Sequence, residues 1–447
     1  MERNVDLLIH HAQIVTMDAA FTQYRDATMA IRDGKIKDIG PTDQLEEYYR
    51  APVRLDASGK LLMPGLVNAH THAAMACLRG IADDLPLEEW LQHYIFPVEA
   101  RALSPGFVSA GTFLALAEML RAGTTLMNDM YYFLDEVIRC CESSGIRAVV
   151  STALVDFPTP EFRNAAESME WMDKKLLQYR DHPLVRVAVS PHAIYTCGED
   201  TLKKAKSLAD KHHAILHMHL AETRKEFDQC METSGKSPVG YAAGLGLLDE
   251  RTLAAHMVHL TEEDHDTVLR RKVGIAHLPE SNLKLVSGLC PLERFILDGL
   301  FVGLGTDGVA SNNNLDLFEE MQTASFMAKL RSGNPVSMPA RSIVEMATLG
   351  GAKALGMDAL TGSLEIGKSA DCILINLNQP HLVPVYDIYS HIVYAMRGSD
   401  VDTVIIRGKM ILQDKRILTF SEEEIMEKVR WIGKQLKPYS KNQHPRG

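Results

Sequence analysis

The pattern of hydrophobic and polar positions divides the chain into three parts. Residues 5–62 form short apolar runs separated by turns, and the pair Asp33-Gly34 between two of them favours a β-hairpin. After Pro64 the apolar runs alternate with longer amphipathic stretches, which is typical of repeated strand–helix units around a parallel sheet. Eight such runs follow one another, at residues 65–69, 124–127, 148–154, 185–189, 214–218, 252–255, 273–276 and 301–305.

Eight alternations of strand and helix favour a closed (β/α)8 barrel over an open sheet. Strand-like patterning returns from about Leu364, so we expect the two ends of the chain to fold together as one small β-sandwich beside the barrel. Ser421, with Glu424 three residues later, predicts a capped C-terminal helix over 421–436. The predicted fold class is therefore α/β, a (β/α)8 TIM-type barrel at residues 63–363 with a sandwich formed by residues 1–62 and 364–447.

Charge and composition exclude some classes of partner. The formal net charge is -11 at pH 7 and the chain has no dense basic run, which argues against binding to nucleic acid. The chain has no apolar stretch of about 18 residues and no secretory leader pattern at its start, so we expect a cytoplasmic protein without a membrane partner. The seven cysteines show no C-x-x-C spacing, which indicates reduced packing residues. We also expect a homo-oligomer.

Polar residues follow the apolar runs where the barrel strands end. In a barrel of this kind the functional residues lie at the carboxyl ends of the strands and in the loops that follow. The residues found there are His70 and His72 after the first run, His192 after the fourth, His219 and Glu222 after the fifth, His256 after the sixth, His277 after the seventh and Asp307 after the eighth.

Four of these residues predict a metal site. His70 and His72 are two positions apart, so their imidazoles lie on the same side of an extended strand. A surface strand would also explain an isolated pair of this kind. With His219 and Asp307 at equivalent strand ends, however, three imidazoles and one carboxylate form a set that suits zinc. We therefore predict one divalent ion held by His70, His72, His219 and Asp307.

Several sequence motifs at the predicted strand ends carry a resemblance to a known family. They are PGLVNAHTH at 64–72, SPH at 190–192, HLAE at 219–222, SNLKL at 281–285, LGTDG at 304–308 and SNNN at 311–314. These motifs resemble the amidohydrolase superfamily and, more narrowly, its 5'-methylthioadenosine/S-adenosylhomocysteine deaminases. The resemblance extends over nearly the whole chain, including the strand and turn at 401–408. It is specific for the superfamily and less specific for the substrate.

The resemblance implies a hydrolytic deaminase with one Zn2+ per subunit, or another divalent metal such as Fe2+. Water would attack a ring carbon of a 5'-modified adenosine and expel ammonia, giving the matching inosine. Asp307 would serve as a metal ligand and accept the proton of the water, Glu222 would transfer a proton to the purine N1, and His256 would polarise the attacking hydroxide. S-adenosylhomocysteine, 5'-methylthioadenosine, 5'-deoxyadenosine and adenosine are the candidate substrates, and the sequence does not rank them.

The resemblance also implies substrate contacts. Glu99 would accept hydrogen bonds from the ribose hydroxyls, His192 would contact the purine, and Arg147 would contact the distal part of the nucleoside. Arg163 would pair with the amino acid carboxylate of S-adenosylhomocysteine, since arginine suits bidentate carboxylate binding. Ordinary surface charges remain the alternative for Glu99 and Arg147. A structural or solvated role is favoured for the remaining histidines, namely His10, His11, His212, His213, His259 and His265.

Two alternative functions stay open. A deaminase or chlorohydrolase of another aminoheterocycle, such as a triazine or a guanine-like base, would use the same scaffold. Glu99 and Arg147 discriminate against it, because a free base has no ribose for them to hold. A non-catalytic barrel used as an assembly scaffold is the other alternative, and the complete set of metal ligands argues against it.

Overall fold

The structure, a computed structural model, describes residues 3–441, so residues 1–2 and 442–447 of the two predicted sandwich segments lie outside the described residues. The strands of the described range are numbered in chain order. They are β1 Leu7–Val15, β2 Gln23–Arg32, β3 Lys35–Pro41, β4 Val53–Asp56, β5 Lys60–Pro64, β6 Leu66–Thr71, β7 Thr124–Tyr131, β8 Arg147–Leu154, β9 Val185–Val187, β10 Ser190–Pro191, β11 Leu216–Leu220, β12 Thr252–His256, β13 Gly274–His277, β14 Val302–Leu304, β15 Cys372–Asn376, β16 Val401–Ile406, β17 Lys409–Gln413 and β18 Arg416–Ile417.

Each of the eight predicted apolar runs overlaps a strand, from β6 to β14, and the run at 185–189 contains β9 and leads into β10. Every residue of β6, β7, β8, β11, β12, β13 and β14 is buried. Strands of a parallel sheet covered by helices are apolar on both faces, which is why these segments have continuous apolar runs instead of alternation.

The strands β6 to β14 pair only in parallel within the described residues and form two sheets. One contains β6 to β10, and the other contains β11 to β14. Parallel bridges Val189↔Leu216 and Thr71↔Asp307 join the two sheets at both edges. The carboxyl ends of all these strands therefore point the same way and surround one space.

The two ends of the chain fold together, as the sequence indicates. C-terminal β15 pairs antiparallel with N-terminal β5, and the pairings connect nine strands into one sheet. The sheet has its own apolar core, which includes Ile9, Met29 and Leu374. Asp33 and Gly34 connect β2 to β3 with φ values of 51° and 73°, so the predicted hairpin is confirmed.

The helices alternate with the parallel strands along the chain. The predicted capping of the last helix is confirmed, because Ser421 accepts a hydrogen bond from the Glu424 backbone N–H. The α-helices are α1 Thr42–Leu45, α2 Leu87–Trp90, α3 Phe96–Ala102, α4 Pro105–Arg121, α5 Leu134–Ser144, α6 Ala165–Gln178, α7 Glu199–His212, α8 Arg224–Ser234, α9 Pro238–Gly244, α10 Glu262–Arg271, α11 Pro279–Lys284, α12 Leu292–Leu297, α13 Leu317–Ser332, α14 Ala340–Glu345, α15 Gly351–Ala354, α16 Ile388–Tyr394 and α17 Glu422–Leu436.

Short 3-10 and π-helical turns complete the secondary structure. The 3-10 turns are Ala73–Leu78, Pro380–Leu382, Gly398–Asp400 and Lys437–Tyr439, and the π-helical turns are Leu91–Ile95 and Met346–Gly350.

Within residues 3–441 no single helix has the length and hydropathy needed to cross a membrane. The bent pair Leu87–Ala102 and Pro105–Arg121 meets that test only when the two helices are taken together, across an angle of 115°.

Candidate metal centre and active site

Three imidazoles and one carboxylate from distant parts of the chain meet at the carboxyl ends of the barrel strands. The Oδ1 atom of Asp307 lies 3.4 Å from His70 Nε2 and 3.2 Å from His72 Nε2. His72 Nε2 is in turn 3.3 Å from His219 Nε2. Ligand atoms bound tetrahedrally at zinc distances of about 2.0–2.1 Å would lie roughly 3.3 Å from one another. The observed spacing therefore fits one divalent ion.

The side chains are oriented so that the Nε2 atoms face the shared centre. His72 Nδ1 bonds to the carbonyl oxygen of Met130 at 2.6 Å, and His219 Nδ1 bonds to that of His192 at 2.8 Å. A hydrogen on Nδ1 leaves the Nε2 lone pair free to act as a ligand. The Nε2 atom of His70 is buried and makes no well-formed hydrogen bond within the described residues, as expected of a donor atom that serves an ion.

His70 is held by a residue that the sequence analysis did not assign. Its Nδ1 atom lies 2.7 Å from Nε2 of the fully buried His217. Asn128 Nδ2 packs 3.3 Å from His217 Nδ1 and donates to the carbonyl oxygen of Ala69. The signal was present in the sequence, since His217 and His219 have the same two-residue spacing as His70 and His72.

Asp307 is fixed through its second carboxylate oxygen. Ser281 Oγ and Ser311 Oγ donate to Oδ2 at 2.7 and 2.8 Å, which leaves Oδ1 directed at the imidazoles. Burial works to raise the pKa of Asp307, but contact with His70 and His72 outweighs it and holds that pKa well below its usual range. The carboxylate is therefore ionised. Both serines belong to motifs noted in the sequence, although the sequence did not indicate this role.

His256 and Glu222 lie next to the four residues of the centre. His256 Nδ1 bonds to Asn282 Oδ1 at 2.9 Å, and His256 also offers a ligand atom within 4.8 Å of those of His70, His219 and Asp307. Its Nε2 atom is 3.8 Å from Glu222 Oε2. Burial raises the pKa of the Glu222 carboxyl. The Glu222 carboxyl and an oriented imidazole thus face the same space.

Glu99 and His192 are also brought to this space. Glu99 lies in α3 and is buried, and its Oε1 atom accepts a hydrogen bond of 2.6 Å from the Tyr131 hydroxyl. Burial raises the pKa of Glu99 to about 7, although the Tyr131 bond opposes the shift. The ring of His192 lies 4.7 Å from that of His219, and its Nδ1 atom is 3.0 Å from Thr196 Oγ1.

A pocket lies over the centre. Its outer wall comes from the segment Leu87–Ala102, which the strand-end argument did not identify because it belongs to a long loop after β6. A flat apolar molecule with a few polar groups fits such walls. The lining includes the aromatic residues Trp90, Phe96, Tyr131, Tyr132 and Tyr195, together with His72, Glu99, His192, His219, Glu222, His256 and Asp307.

The structure corrects the expectation for Arg147. Arg147 is the first residue of β8, whereas the pocket lies at the carboxyl end, roughly 23 Å away for seven residues at about 3.3 Å each. Its guanidinium is buried and bonds to Asp371 at 2.8 Å, to the Pro183 carbonyl at 2.9 Å and to Ser369 Oγ at 3.0 Å. All of these partners belong to the protein, so Arg147 does not reach the pocket.

Arg163 does not line the pocket either. It lies in the loop after β8, and 87% of its side chain is exposed. Its Nε atom pairs with Glu167 Oε2 at 3.2 Å, one turn into the following helix α6. The structure therefore places Arg163 on the surface near the barrel mouth and does not bring it together with the other predicted substrate contacts.

The sequence is similar to those of known proteins over nearly its whole length. The sequence model of the Amidohydrolase family matches residues 61–411. A protein of Syntrophus aciditrophicus (strain SB) named 5-methylthioadenosine/S-adenosylhomocysteine deaminase 1 is 45% identical over 97% of this chain and 98% of its own. A 5'-deoxyadenosine deaminase of Methanosarcina acetivorans is 41% identical over 96% of this chain and 98% of its own.

The fold is also similar to that of a solved structure. The crystal structure of an adenosine deaminase from Xanthomonas campestris with bound zinc superposes with a TM-score of 0.96. It is 36% identical in sequence, and the match covers 98% of this chain and 100% of the other. The family model spans most of the chain, and the relatives match it almost end to end. This protein therefore belongs to the amidohydrolase family.

Proposed function

We propose that the protein is a zinc-dependent hydrolytic deaminase of 5'-modified adenosines. The reaction consumes water and releases the matching inosine and ammonia, and the glycosyl bond is untouched. S-adenosylhomocysteine, 5'-methylthioadenosine, 5'-deoxyadenosine and adenosine are the candidate substrates. The names of the relatives at 41–45% identity support this substrate class.

One observation carries the proposal, namely the convergence of four ligand atoms at distances that suit a divalent ion. His70, His72, His219 and Asp307 would hold it, and Zn2+ suits three imidazoles and one carboxylate. When bound, such an ion lowers the pKa of a coordinated water toward neutrality and so supplies hydroxide. Fe2+ is the alternative metal, because imidazole and carboxylate ligands accept it as well.

Three side chains would then move or hold protons. The ionised Asp307 accepts the proton of the attacking water through the oxygen that faces the imidazoles. Glu222, whose carboxyl pKa is raised by burial, donates a proton to the purine N1 and so prepares the ring for attack at the amino-bearing carbon. His256, fixed by Asn282, hydrogen-bonds the attacking oxygen. The proton taken by Asp307 then passes to the leaving amino group. As the C6–N bond breaks, the added hydroxyl returns a proton to Glu222, which gives the inosine carbonyl and ammonia and restores both carboxyl groups.

The pocket walls support a nucleoside over a free base. Glu99 projects from the outer segment, where its carboxyl can accept hydrogen bonds from ribose hydroxyls, and His192 lies where it can contact the purine. The pocket continues into a wider groove that contains Asp156, Arg224 and Lys225. A 5' substituent, including one with an ammonium and a carboxylate, would extend into that groove. The role of Arg163 stays a prediction.

The architecture belongs to the same proposal. A complete (β/α)8 barrel at 63–363, flanked by a β-sandwich from 1–62 and 364–447, accounts for the parallel pairings and for the bridges at both sheet edges. The nine-stranded terminal sheet and its separate apolar core support the second unit. The cytoplasmic location and the homo-oligomer stay predictions.

The decisive experiment measures loss of adenine absorbance for the four nucleosides with enzyme of known metal content. We expect turnover of at least one nucleoside. We also expect loss of both bound metal and turnover in Asp307→Asn and His219→Ala. An aminotriazine and guanine serve as comparison substrates. Turnover of either of these without any nucleoside turnover would refute the substrate class, and undiminished turnover in either variant would refute the site.

A further inference from the structure

A second cluster of imidazoles and carboxylates lies on the terminal sheet, in strand β1. Successive residues of a strand normally point to opposite faces, so adjacent histidines should not meet. Here the pairing of β1 with β2 shifts register between Ile9 and Ala12, and His11 has a φ of 60°. This β-bulge brings the rings of His10 and His11 to a centroid distance of 5.1 Å.

Both imidazoles face one carboxylate. His10 Nδ1 lies 3.2 Å from Glu46 Oε1, and His11 Nε2 lies 3.4 Å from Glu46 Oε2. The three residues offer ligand atoms that all lie within 4.8 Å of one another. The two imidazole–carboxylate distances are close to the roughly 3.3 Å expected between ligands of a tetrahedral zinc ion.

The surroundings hold these groups as the partners of a metal site would. The other ring nitrogen of His11, Nδ1, lies 3.2 Å from Asp26 Oδ1, and that oxygen accepts a hydrogen bond of 2.8 Å from Thr42 Oγ1. A carboxylate on the far nitrogen of a ligand histidine fixes its tautomer and increases its basicity. Arg54 Nη2 donates to Glu46 Oε1 at 2.8 Å, as the carboxylate ligands of metals are themselves hydrogen-bonded.

The bulge itself requires an explanation. A residue other than glycine with positive φ is uncommon, with histidine among the enriched types, and backbone strain is often found at ligand clamps. A regular strand would place His10 and His11 on opposite faces, and only one of them could then reach Glu46. The positive φ of His11 therefore places two adjacent imidazoles on one side of the sheet, where both can bind one ion.

We propose that His10, His11 and Glu46 form a second divalent metal site, of the zinc class, remote from the catalytic centre. Two imidazoles and one carboxylate match the ligand preference of Zn2+, and the partly exposed setting leaves a position for water. The bound ion ties the segment after helix α1 to strand β1. The site therefore stabilises the terminal sheet and takes no part in the chemistry of the pocket.

Equilibrium dialysis of the holoenzyme against Zn2+ tests the proposal. We expect wild-type protein to bind two zinc ions per chain, and Glu46→Gln and His11→Asn to bind one, with unchanged turnover. Asparagine tolerates positive φ, so His11→Asn removes the imidazole while keeping the bulge. The matched control is His213→Asn, because His213 is an exposed histidine with a φ of 52°, and this variant should still bind two ions.

Two further measurements separate a built site from ordinary ion pairing. Asp26→Asn should weaken the second zinc ion about 10- to 100-fold, the usual cost of losing the partner of a ligand histidine. Added Zn2+ should raise the Tm of wild-type holoenzyme, and should not raise that of His11→Asn. A wild-type stoichiometry of one, or a second ion that persists with the same affinity in both Glu46→Gln and His11→Asn, would overturn the proposal.

Discussion

The two ends of the barrel both bury charged side chains but use them differently. At the carboxyl end, His70 Nε2 lacks a well-formed hydrogen bond within the described residues, and burial raises the pKa of Glu99 to about 7. At the amino end, the Arg147 guanidinium bonds to both oxygens of Asp371, at 2.8 and 3.2 Å, and to two further oxygens. Charge at one end is thus left available to a ligand, and charge at the other is satisfied within the protein.

The difference follows from what covers each end. The carboxyl ends open into the pocket beneath the segment Leu87–Ala102. The amino end of β8 meets the terminal sheet instead, because Asp371 directly precedes β15 and also accepts a hydrogen bond from the Arg407 backbone N–H. Substitutions should therefore change activity at one end and stability at the other.

The largest expected effect is on turnover at the carboxyl end. Glu222→Gln removes the proposed proton donor, and loss of a positioned acid or base costs about 10²- to 10⁴-fold in rate. We expect kcat to fall by this amount while zinc content and Tm stay close to wild type. Steady-state kinetics and metal analysis check the result. The matched control is Glu280→Gln, a carboxyl outside the pocket lining, and equal losses in both variants would contradict the role of Glu222.

The complementary variant at the amino end is Arg147→Met. It leaves the buried Asp371 carboxylate without its cation, which costs about 3–5 kcal/mol of unfolding free energy when such a pair is broken. We expect a lower urea midpoint with KM and kcat unchanged for the protein that stays folded. The double variant Arg147→Met/Asp371→Leu should recover much of the loss, since it removes the unpaired charge. A raised KM without lost stability would indicate that Arg147 contacts the substrate.

The stability of the protein should depend on pH through the carboxyl of Glu99. Its pKa is about 7 in the folded state and near 4.5 in the unfolded chain, so folding favours the protonated carboxyl. Its contribution to stability is complete below pH 4.5 and is lost as pH rises to about 7, a change of roughly 3 kcal/mol. Relative to Glu99→Gln, wild type should therefore lose stability over this interval. Urea denaturation across pH 4.5–8 measures the difference, and a pH-independent difference would contradict it.

The same substitution should change nucleoside binding. If the carboxylate accepts hydrogen bonds from the ribose, KM for wild type should fall as pH rises through about 7, and KM for Glu99→Gln should stay high throughout. The corresponding test with a free base is the control, because a base has no ribose hydroxyls. An equal pH dependence of KM for both kinds of substrate would show that Glu99 does not recognise the ribose.

The parallel strands and the candidate ligands could be predicted from the sequence because both predictions depend on local rules. Continuous apolar runs mark buried parallel strands, and the two-residue spacing of His70 and His72 places both imidazoles on one side. His219 and Asp307 follow from the rule that strand ends carry function. The rule also shows why Arg147 was misplaced, since a charged residue at the start of a strand belongs to the opposite end of the barrel.

Other features depended on tertiary structure that the sequence pattern does not contain. Trp90 and the rest of the outer wall lie in a long segment between β6 and β7, whose position over the mouth no strand rule determines. Ser281 reaches Asp307 from helix α11, which follows β13, and Ser311 reaches it from the loop after β14. The meeting of His10 and His11 needs a bulge, and a regular period of two predicts that they point apart.

The smallest expected effect is on zinc affinity, after substitution of His217, the residue that holds His70. With His70 Nε2 serving as a ligand, Nδ1 carries the hydrogen and donates to His217 Nε2 at 2.7 Å. His217→Ala should weaken zinc binding about 10- to 100-fold, as measured by competition with a chelator, and leave kcat of the fully loaded enzyme nearly unchanged. His217→Gln should restore part of the affinity, because its side-chain oxygen can accept the same hydrogen bond. If the alanine and glutamine variants bind zinc equally weakly, the packing of His217 matters and its hydrogen bond does not. Wild-type affinity in both would mean that the strand alone orients His70, and the carboxyl end would then need no support beyond its ligands.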